Sequence, residues 1–435
     1  VLAGARERRG PPTKPHVDRT KTTGFPWSLT GALGAIVEDM KDTSVLGGGS
    51  ATRVVIVGGG YAGVLTANRL SQRADIDITL VNPRPIFVER IRLHQLVAGN
   101  DDAVESYSAI LTDRANLVVD SAQLIDAAAH QLRLISGASL SFDFLIYAVG
   151  STAPMPAAVP GAPEFVYPLG ELEAAQRLAA RLADVPLQAP IVVVGGGLTG
   201  IEAASEFAEA GRNVTLVTGA LGPSLAKGGR KSVARQLTKL GVRVVENATV
   251  TQVGEDRVTL RDGTDLPSAA TVWTAGFIVP TLAADSGLST DRLGRLVTDE
   301  TLTSVDDPSI IAAGDAASPS AQPLRMSCQL AMPLASHAAD TVLARLQGRE
   351  PTALNPASVG QCISLGRHAG TIQMSHFNDV ALPMHLSGHL AATIKEAVCK
   401  GTLSFLSEEA RKPGSYFWPH GGKRQKNLKK GRVDV

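Results

Sequence analysis

Apolar and polar positions first fall into order at Arg53 to Val57 (RVVIV), a continuous β-branched run of the kind a strand buried on both faces shows. Gly58-Gly59-Gly60-Tyr61-Ala62-Gly63 comes next, then a helical pattern over about 62–73 and a second apolar run, Asp77 to Val81. Together these predict a complete βαβ unit. Short apolar runs then alternate with turn signals from Leu117 to Phe142, which predicts a small antiparallel meander. Phe144 to Val149 reads as another buried strand, closed by Gly150-Ser151, and Pro154 to Pro163 reads as a linker.

The layout repeats about 140 residues later. Ile191 to Val194 leads into Gly195-Gly196-Gly197-Leu198-Thr199-Gly200, a helix to about Ala210, and a strand Asn213 to Val217. A helix over Ser232 to Leu240 is expected next, then a second meander from Val242 to Leu266 and a strand ending at Thr274. Beyond Gly276 the pattern predicts a strand Ser309 to Ala313, ending in Gly314-Asp315, and a helix from about Ser327 to Gln347. Residues 351–435 mix strand and helix signals and end in a basic tail, Lys423 to Arg432.

The expected fold class is therefore α/β: two Rossmann-like halves with inserted antiparallel meanders, plus a smaller C-terminal α+β region. The boundaries read as a first dinucleotide-binding domain from 51–165 and 277–350, a second from 166–276, and a C-terminal region, 351–435. Residues 1–50 carry no such pattern and read as a disordered extension. With Val1 at its start and Met40 near its end, residues 1–39 need not be native sequence. Arg8-Arg9 is followed by proline and lysine rather than an apolar stretch, unlike a twin-arginine export signal.

Composition narrows the function. With 44% hydrophobic and 19% charged residues the chain is an ordinary globular protein, and 435 residues suit two or three domains. A net charge of +1 offers no positive field for nucleic acid. No run reaches the ~18–20 apolar residues of a membrane span, so the expected location is cytoplasmic, with a peripheral contact on the cytoplasmic face of a membrane left open. Cys328, Cys362 and Cys399 fall in no CxxC spacing, which excludes a sequence-local dithiol or zinc ribbon and predicts isolated reduced thiols. The nine histidines show no ligand spacing, and no metal is expected.

The glycines carry the chemistry. Gly58 permits the tight strand-to-helix turn, Gly60 lets a pyrophosphate approach, and Gly63 allows close helix–strand packing. Gly195, Gly197 and Gly200 repeat these roles. Both turns open a helix, whose N-terminal N–H groups and dipole favour an anion. The acid that would bind the adenosine ribose at the end of the second strand is absent. Asn82 stands there, an amide that still accepts one hydrogen bond, and Thr218 stands in the second unit. The choice between NADH and NADPH stays open. Lys227, Arg230 and Lys231 read as solvated charge more readily than as a 2′-phosphate site.

Four ordered motifs, Arg53 to Gly63, GGGLTGIE at 195–202, TAGF at 274–277 and IAAGDA at 311–316, resemble those of the two-dinucleotide flavoprotein family over about 53–348. That family includes pyridine nucleotide–disulfide oxidoreductases, type II NADH dehydrogenases and apoptosis-inducing-factor-like reductases. The resemblance implies FAD in the first half and NAD(P)H as substrate in the second, with Gly150 and Gly276 beside them. It implies that Asp315, next to Gly314, contacts the flavin ribityl chain, and that Glu202 lies near nicotinamide and flavin as a catalytic candidate. With no CxxC to set a dithiol beside the flavin, the subgroup looks like the type II NADH dehydrogenase-like one. The segment 87–95 also resembles that subgroup, which would put Arg92, as a cofactor contact, together with His94 and Gln95 near the flavin. Gln329 matches the first glutamine of the AQxAxQ pattern that borders flavin and quinone, while Pro333 replaces the second and Cys328 an alanine.

The implied reaction passes a hydride from nicotinamide to flavin and electrons on to a small external acceptor, with quinone leading. Two alternatives are a reductase for a small iron–sulfur or other protein, and a redox-sensing nucleotide-binding protein. The segment His389 to Leu406, with the basic tail, suits docking on anionic lipid, packing on the chain's own body, or a homodimer contact.

Overall fold

The computed structural model describes residues 51–421 and 423–429, so the expected extension at 1–50 and the tail beyond 429 lie outside them. The first half begins with β1 (Thr52–Val57), α1 (Tyr61–Leu70), β2 (Ile76–Asn82), β3 (Ala115–Val119) and β4 (Phe144–Tyr147). These strands lie parallel in the spatial order β4-β1-β2-β3. Val54 to Val57 are buried, as an unbroken apolar run between two layers of side chains requires.

The turn after β1 is built on missing side chains. Gly58 has φ +106°, and a Cβ there would stand 2.3 Å from the Ala148 carbonyl oxygen. A Cβ on Gly63 would stand 1.8 Å from the Gly58 oxygen, so α1 closes on β1 only because that position is bare.

The second half repeats the plan with β5 (Val166–Pro168), β6 (Pro190–Val194), α2 (Leu198–Glu209), β7 (Asn213–Val217), α3 (Lys227–Lys239), β8 (Arg243–Val245) and β9 (Ala270–Trp273). Its strands are parallel in the order β5-β9-β6-β7-β8. Then β10 (Ile310–Ala312) returns to the first sheet and pairs with the outer side of β4.

Three local outcomes differ from the sequence pattern. β3 and β8, expected as the first strands of the meanders, are instead the parallel edges of the two sheets. The true meanders are Ala122–Ser141 and Val250–Pro267. Periodicity in a run of three to five residues cannot tell a parallel edge strand from a hairpin strand. α3 starts at Lys227 rather than Ser232, through Gly228 and Gly229. Tertiary packing overrides their poor helix propensity, since Cβ atoms there would lie 2.9 Å from the His385 ring and 2.5 Å from Gln373 Oε1.

α4 (Cys328–Leu346) is capped by the Ser327 hydroxyl, which accepts from Leu330 N at 3.3 Å, and it runs through Pro333. Proline has no N–H for the Gln329 carbonyl, so the helix loses one internal bond there. The C-terminal region is an antiparallel sheet, β11 (Gln361–Ser364), β12 (Gly370–Ser375) and β13 (Ala381–Gly388), followed by α5 (His389–Arg411). α5 buries Ala391, Cys399, Thr402 and Leu406 and exposes Leu390, Ile394, Val398 and Phe405. Among the described residues no helix is long and apolar enough to cross a membrane.

Candidate functional site

Both glycine turns border one large cavity of about 1540 Å³. Gly58, Gly60, Asn82, Gly150, Asp315 and Gln329 line it from the first half, and Thr199, Glu202 and Gly276 from the second. The C-terminal region adds Cys362, Lys395 and Cys399. Gly63, Gly195, Gly200 and Gly314 are buried and off the lining, while Gly197 is exposed and the second turn meets the cavity through Leu198 and Thr199. Gly314 lets α1 and α4 close up, since its Cβ would lie 2.9 Å from Ala62 Cβ.

The two turns share a device. Gly60 caps α1 and Gly197 caps α2, and neither helix has a side-chain cap or an acid in its first turn. Their leading N–H groups are thus left for an external acceptor. A Cβ at Gly60 would meet nothing within 4 Å. A polar side chain at the end of each second strand braces its own loop. Asn82 Oδ1 accepts from Gly59 N at 3.0 Å, while its amide nitrogen donates to the Arg84 carbonyl at 2.8 Å. Thr218 Oγ1 accepts from Ala220 N at 3.2 Å and donates to Ala220 O at 2.9 Å. The position where an acid was expected to bind a ribose therefore supports the turn.

Asp315 follows β10 and is fixed from two sides. Ser151 Oγ donates to it at 2.8 Å and Ser327 N at 3.0 Å. Glu202, on the first turns of α2, meets a partner the sequence reading missed, Lys395 of α5, at 3.2 Å. The same carboxylate oxygen accepts from Ser364 N at 3.0 Å and Ser364 Oγ at 3.2 Å. Burial works against the charge on Glu202, but Lys395, with His94 and Ser364, holds its pKa below the usual carboxylate range. Burial likewise opposes the Lys395 ammonium, and Glu202 raises its pKa above the ordinary lysine value. His94 lines the cavity nearby, and burial pushes its pKa down to about 4, so it is neutral there. Its Nε2 has no hydrogen-bond partner in the protein. The available signal for Lys395 was its place on the small, buried face of α5, four residues from both Ala391 and Cys399.

Arg92 does not reach the cavity. Its guanidinium is enclosed by Glu396 at 3.1 Å, Glu89 at 3.2 Å and Asp101 at 3.5 Å, and it donates to Gln95 at 2.9 Å. A buried arginine needs such carboxylates, and these hold the Arg92 guanidinium off the cavity lining. Arg90 takes the place on the wall, donating to the Gly170 carbonyl at 3.0 Å.

The cysteines are free thiols, as expected, but the fold gathers them at one wall. Three residues with no local spacing all line the cavity, around Lys395, so thiols do stand at its wall. None is in a disulfide. Burial pushes the Cys328 thiol up to about 12 and raises Cys362 and Cys399, against the pull of Lys395. Iodoacetamide is therefore expected to modify Cys328 at pH 8 about two to three orders of magnitude more slowly than an exposed thiol. The rate should climb about tenfold per pH unit. Mass-spectrometric labelling kinetics check this, and rapid labelling at pH 7 would contradict it.

Two parallel sheets, each with an uncapped glycine turn at a shared cavity, define an α/β oxidoreductase of flavoprotein type with two dinucleotide-binding halves. The chain belongs to the pyridine nucleotide-disulphide oxidoreductase family, whose model matches residues 52–341. It is 31% identical over 325 residues to an NADH dehydrogenase-like protein of Mycobacterium tuberculosis, covering 67% of this chain and 80% of the relative. A demethylphylloquinone reductase of Synechocystis is 27% identical over 381 residues, covering 80% of this chain and 91% of that one. Among solved structures, the sulfide:quinone oxidoreductase of Aquifex aeolicus superposes with a TM-score of 0.71 at 18% identity, covering 88% of this chain and 96% of that chain. NDH2 of Plasmodium falciparum in complex with NADH gives 0.70 at 16% identity, covering 85% and 99%. These two likenesses are of fold. The chain is an oxidoreductase enzyme that works with a pyridine nucleotide.

Proposed function

We propose that the chain is an FAD-dependent NAD(P)H dehydrogenase that delivers electrons to a quinone. The observation that carries this reading is the pair of uncapped, glycine-led helix N-termini at one cavity. The free N–H groups and the open space at Gly60 fit the pyrophosphate of FAD, and Asp315 and Gly150 fit its hydroxyl-rich chain. The turn Gly195 to Gly200, with Gly276, fits the nicotinamide nucleotide. A bound flavin supplies the two-electron exchange between nicotinamide and acceptor.

The chain's own groups set the electrostatics. Lys395 presents a fixed positive charge to the cavity, where it favours the negative charge that accompanies reduction, and Glu202 holds it in place. Gln329, on the first turn of α4, offers both a donor and an acceptor to a quinone carbonyl. Two features support a lipophilic acceptor. Val359, Phe377, Val380, Ile394 and Val398 are exposed and also line the cavity, giving it an apolar mouth. Relatives carry quinone in their names. The exposed apolar stripe of α5 next to that mouth suits peripheral contact with the cytoplasmic face of a membrane.

The purified protein is expected to be yellow, with its flavin absorbance bleached by NADH or NADPH without oxygen. Quinone analogues should then restore the colour at least about tenfold faster than a ferredoxin-like protein. A protein that stays colourless after incubation with FAD overturns the flavin assignment, and a preference for the ferredoxin-like acceptor replaces quinone with a protein partner.

A further inference from the structure

The second half lacks an acid at the end of β7, yet a carboxylate reaches the same loop from the neighbouring strand. Glu246 follows β8 directly, and its Oε2 accepts from Leu221 N at 3.2 Å. Leu221 belongs to the loop that begins at Thr218, so this bond seats the carboxylate on that loop. The backbone ties the two segments together. Thr218 N donates to the Val245 carbonyl at 2.9 Å, Ala248 N to Thr218 O at 3.1 Å, and Asn247 N to Gly219 O at 3.3 Å. Asn247 has φ +56°, a left-handed conformation that asparagine tolerates, directly after Glu246.

The loop in turn packs on the second glycine turn. Gly222 N donates to Gly196 O at 2.8 Å, and a Cβ on Gly196 would stand 2.4 Å from Thr218 Oγ1. Gly197 and Gly219 are exposed, and a Cβ on either would meet nothing within 4 Å. A dinucleotide with its pyrophosphate at the N-terminus of α2 extends its adenosine ribose over the end of β7, toward this loop. Thr218, in the ribose position, is spent on both backbone groups of Ala220. Glu246 is exposed, and its bond to Leu221 N occupies one of two carboxylate oxygens. The basic groups come later. Arg230 rests its stem by Gly222, with Cγ 3.5 Å from where a Cβ would stand. That is the end of the loop that runs on into the cavity lining, Pro223 to Leu225.

We propose that Glu246 is the ribose acceptor of the second half and selects NADH over NADPH. Its carboxylate accepts from the 2′-hydroxyl of NADH. It repels the 2′-phosphate of NADPH, a group with about two negative charges at neutral pH. The inference rests on the nicotinamide nucleotide occupying the second half, and it is independent of the electron acceptor.

The test is calorimetric titration of the full chain with ADP-ribose and with 2′-phospho-ADP-ribose, a measurement that needs no turnover. Flavin reduction by NADH and by NADPH is followed beside it. ADP-ribose is expected to bind at least about tenfold more tightly, with the same preference in flavin reduction. Glu246→Gln keeps an oxygen for Leu221 N but removes the charge, and should cut that preference at least about fivefold. Arg230→Gln should leave the preference in place. The assignment is overturned by a parent that binds the 2′-phospho ligand as well or better, by an unchanged ratio in Glu246→Gln, or by binding of neither ligand. A chain that shows the binding preference but is never reduced by NADH keeps Glu246 in its role and overturns the dehydrogenase reading instead.

Discussion

Gly60→Ala is expected to fold as the parent does and to lose its flavin. Gly60 has φ −79° as the N-cap of α1, a conformation alanine adopts freely, and a Cβ there meets no protein atom within 4 Å. The protein therefore gains no strain. What the methyl enters is the space in front of the uncapped N–H groups, where a pyrophosphate must come within hydrogen-bond reach. FAD affinity should fall by about a hundredfold or more, ~3 kcal/mol, while the thermal midpoint of the flavin-free protein stays put. Gly63→Ala is the contrasting control. Its Cβ would stand 1.8 Å from the Gly58 carbonyl oxygen, so the fold itself should lose about 1–3 kcal/mol. Flavin-to-protein ratios and melting curves of the two apoproteins separate the cases. Stoichiometric flavin in folded Gly60→Ala would refute the placement.

Lys395→Met carries the second large effect. Removing one partner of a buried ion pair leaves the other charge uncompensated, which costs about 3–5 kcal/mol. The pH dependence follows from both shifts. Glu202 sits below its ordinary 4.5, so its contribution is present above that value and is lost as pH falls through the lower folded pKa. Lys395 sits above its ordinary 10.5, so its contribution is present below that value and is lost as pH rises through the higher folded pKa. The pair therefore supports the fold throughout the neutral range. In Lys395→Met, burial acts on Glu202 without the ammonium and its pKa rises. The deficit should be fullest where Glu202 is ionised in the variant, and shrink as pH falls through that raised pKa and on through the parent's lowered one. Urea unfolding across pH measures this. The double variant Glu202→Leu/Lys395→Met should recover most of the stability but not the turnover, which separates packing from chemistry. A single variant as stable as the parent at pH 7 would remove the pair from the account.

The parts of the site legible in the sequence are those whose physics is local. A β-branched run, a glycine turn and a helix period announce β1 and β6 with their helices, because each signal lies within about twenty residues. Glu202 and Gln329 could be singled out because they sit at fixed offsets from such signals. Lys395 could not, since its meeting with Glu202 depends on how α5 crosses the second half. The three cysteines were invisible as a group for the same reason: 328, 362 and 399 lie on α4, β11 and α5, and only the tertiary fold brings them to one wall. Arg92 shows the reverse error. A basic residue in a motif-like segment was assigned to a ligand, when Glu89, Asp101 and Glu396 had claimed it.

The return of β10 to the edge of β4 has a consequence for biosynthesis. The first sheet lacks its outer strand until Ile310–Ala312 has been made, long after β1 to β4 have left the ribosome. Through that interval the nascent chain carries an unpaired edge on β4, the kind of template that invites pairing with a neighbouring polypeptide. The second sheet has a shorter wait, since β9, which fills the gap between β5 and β6, is complete by Trp273.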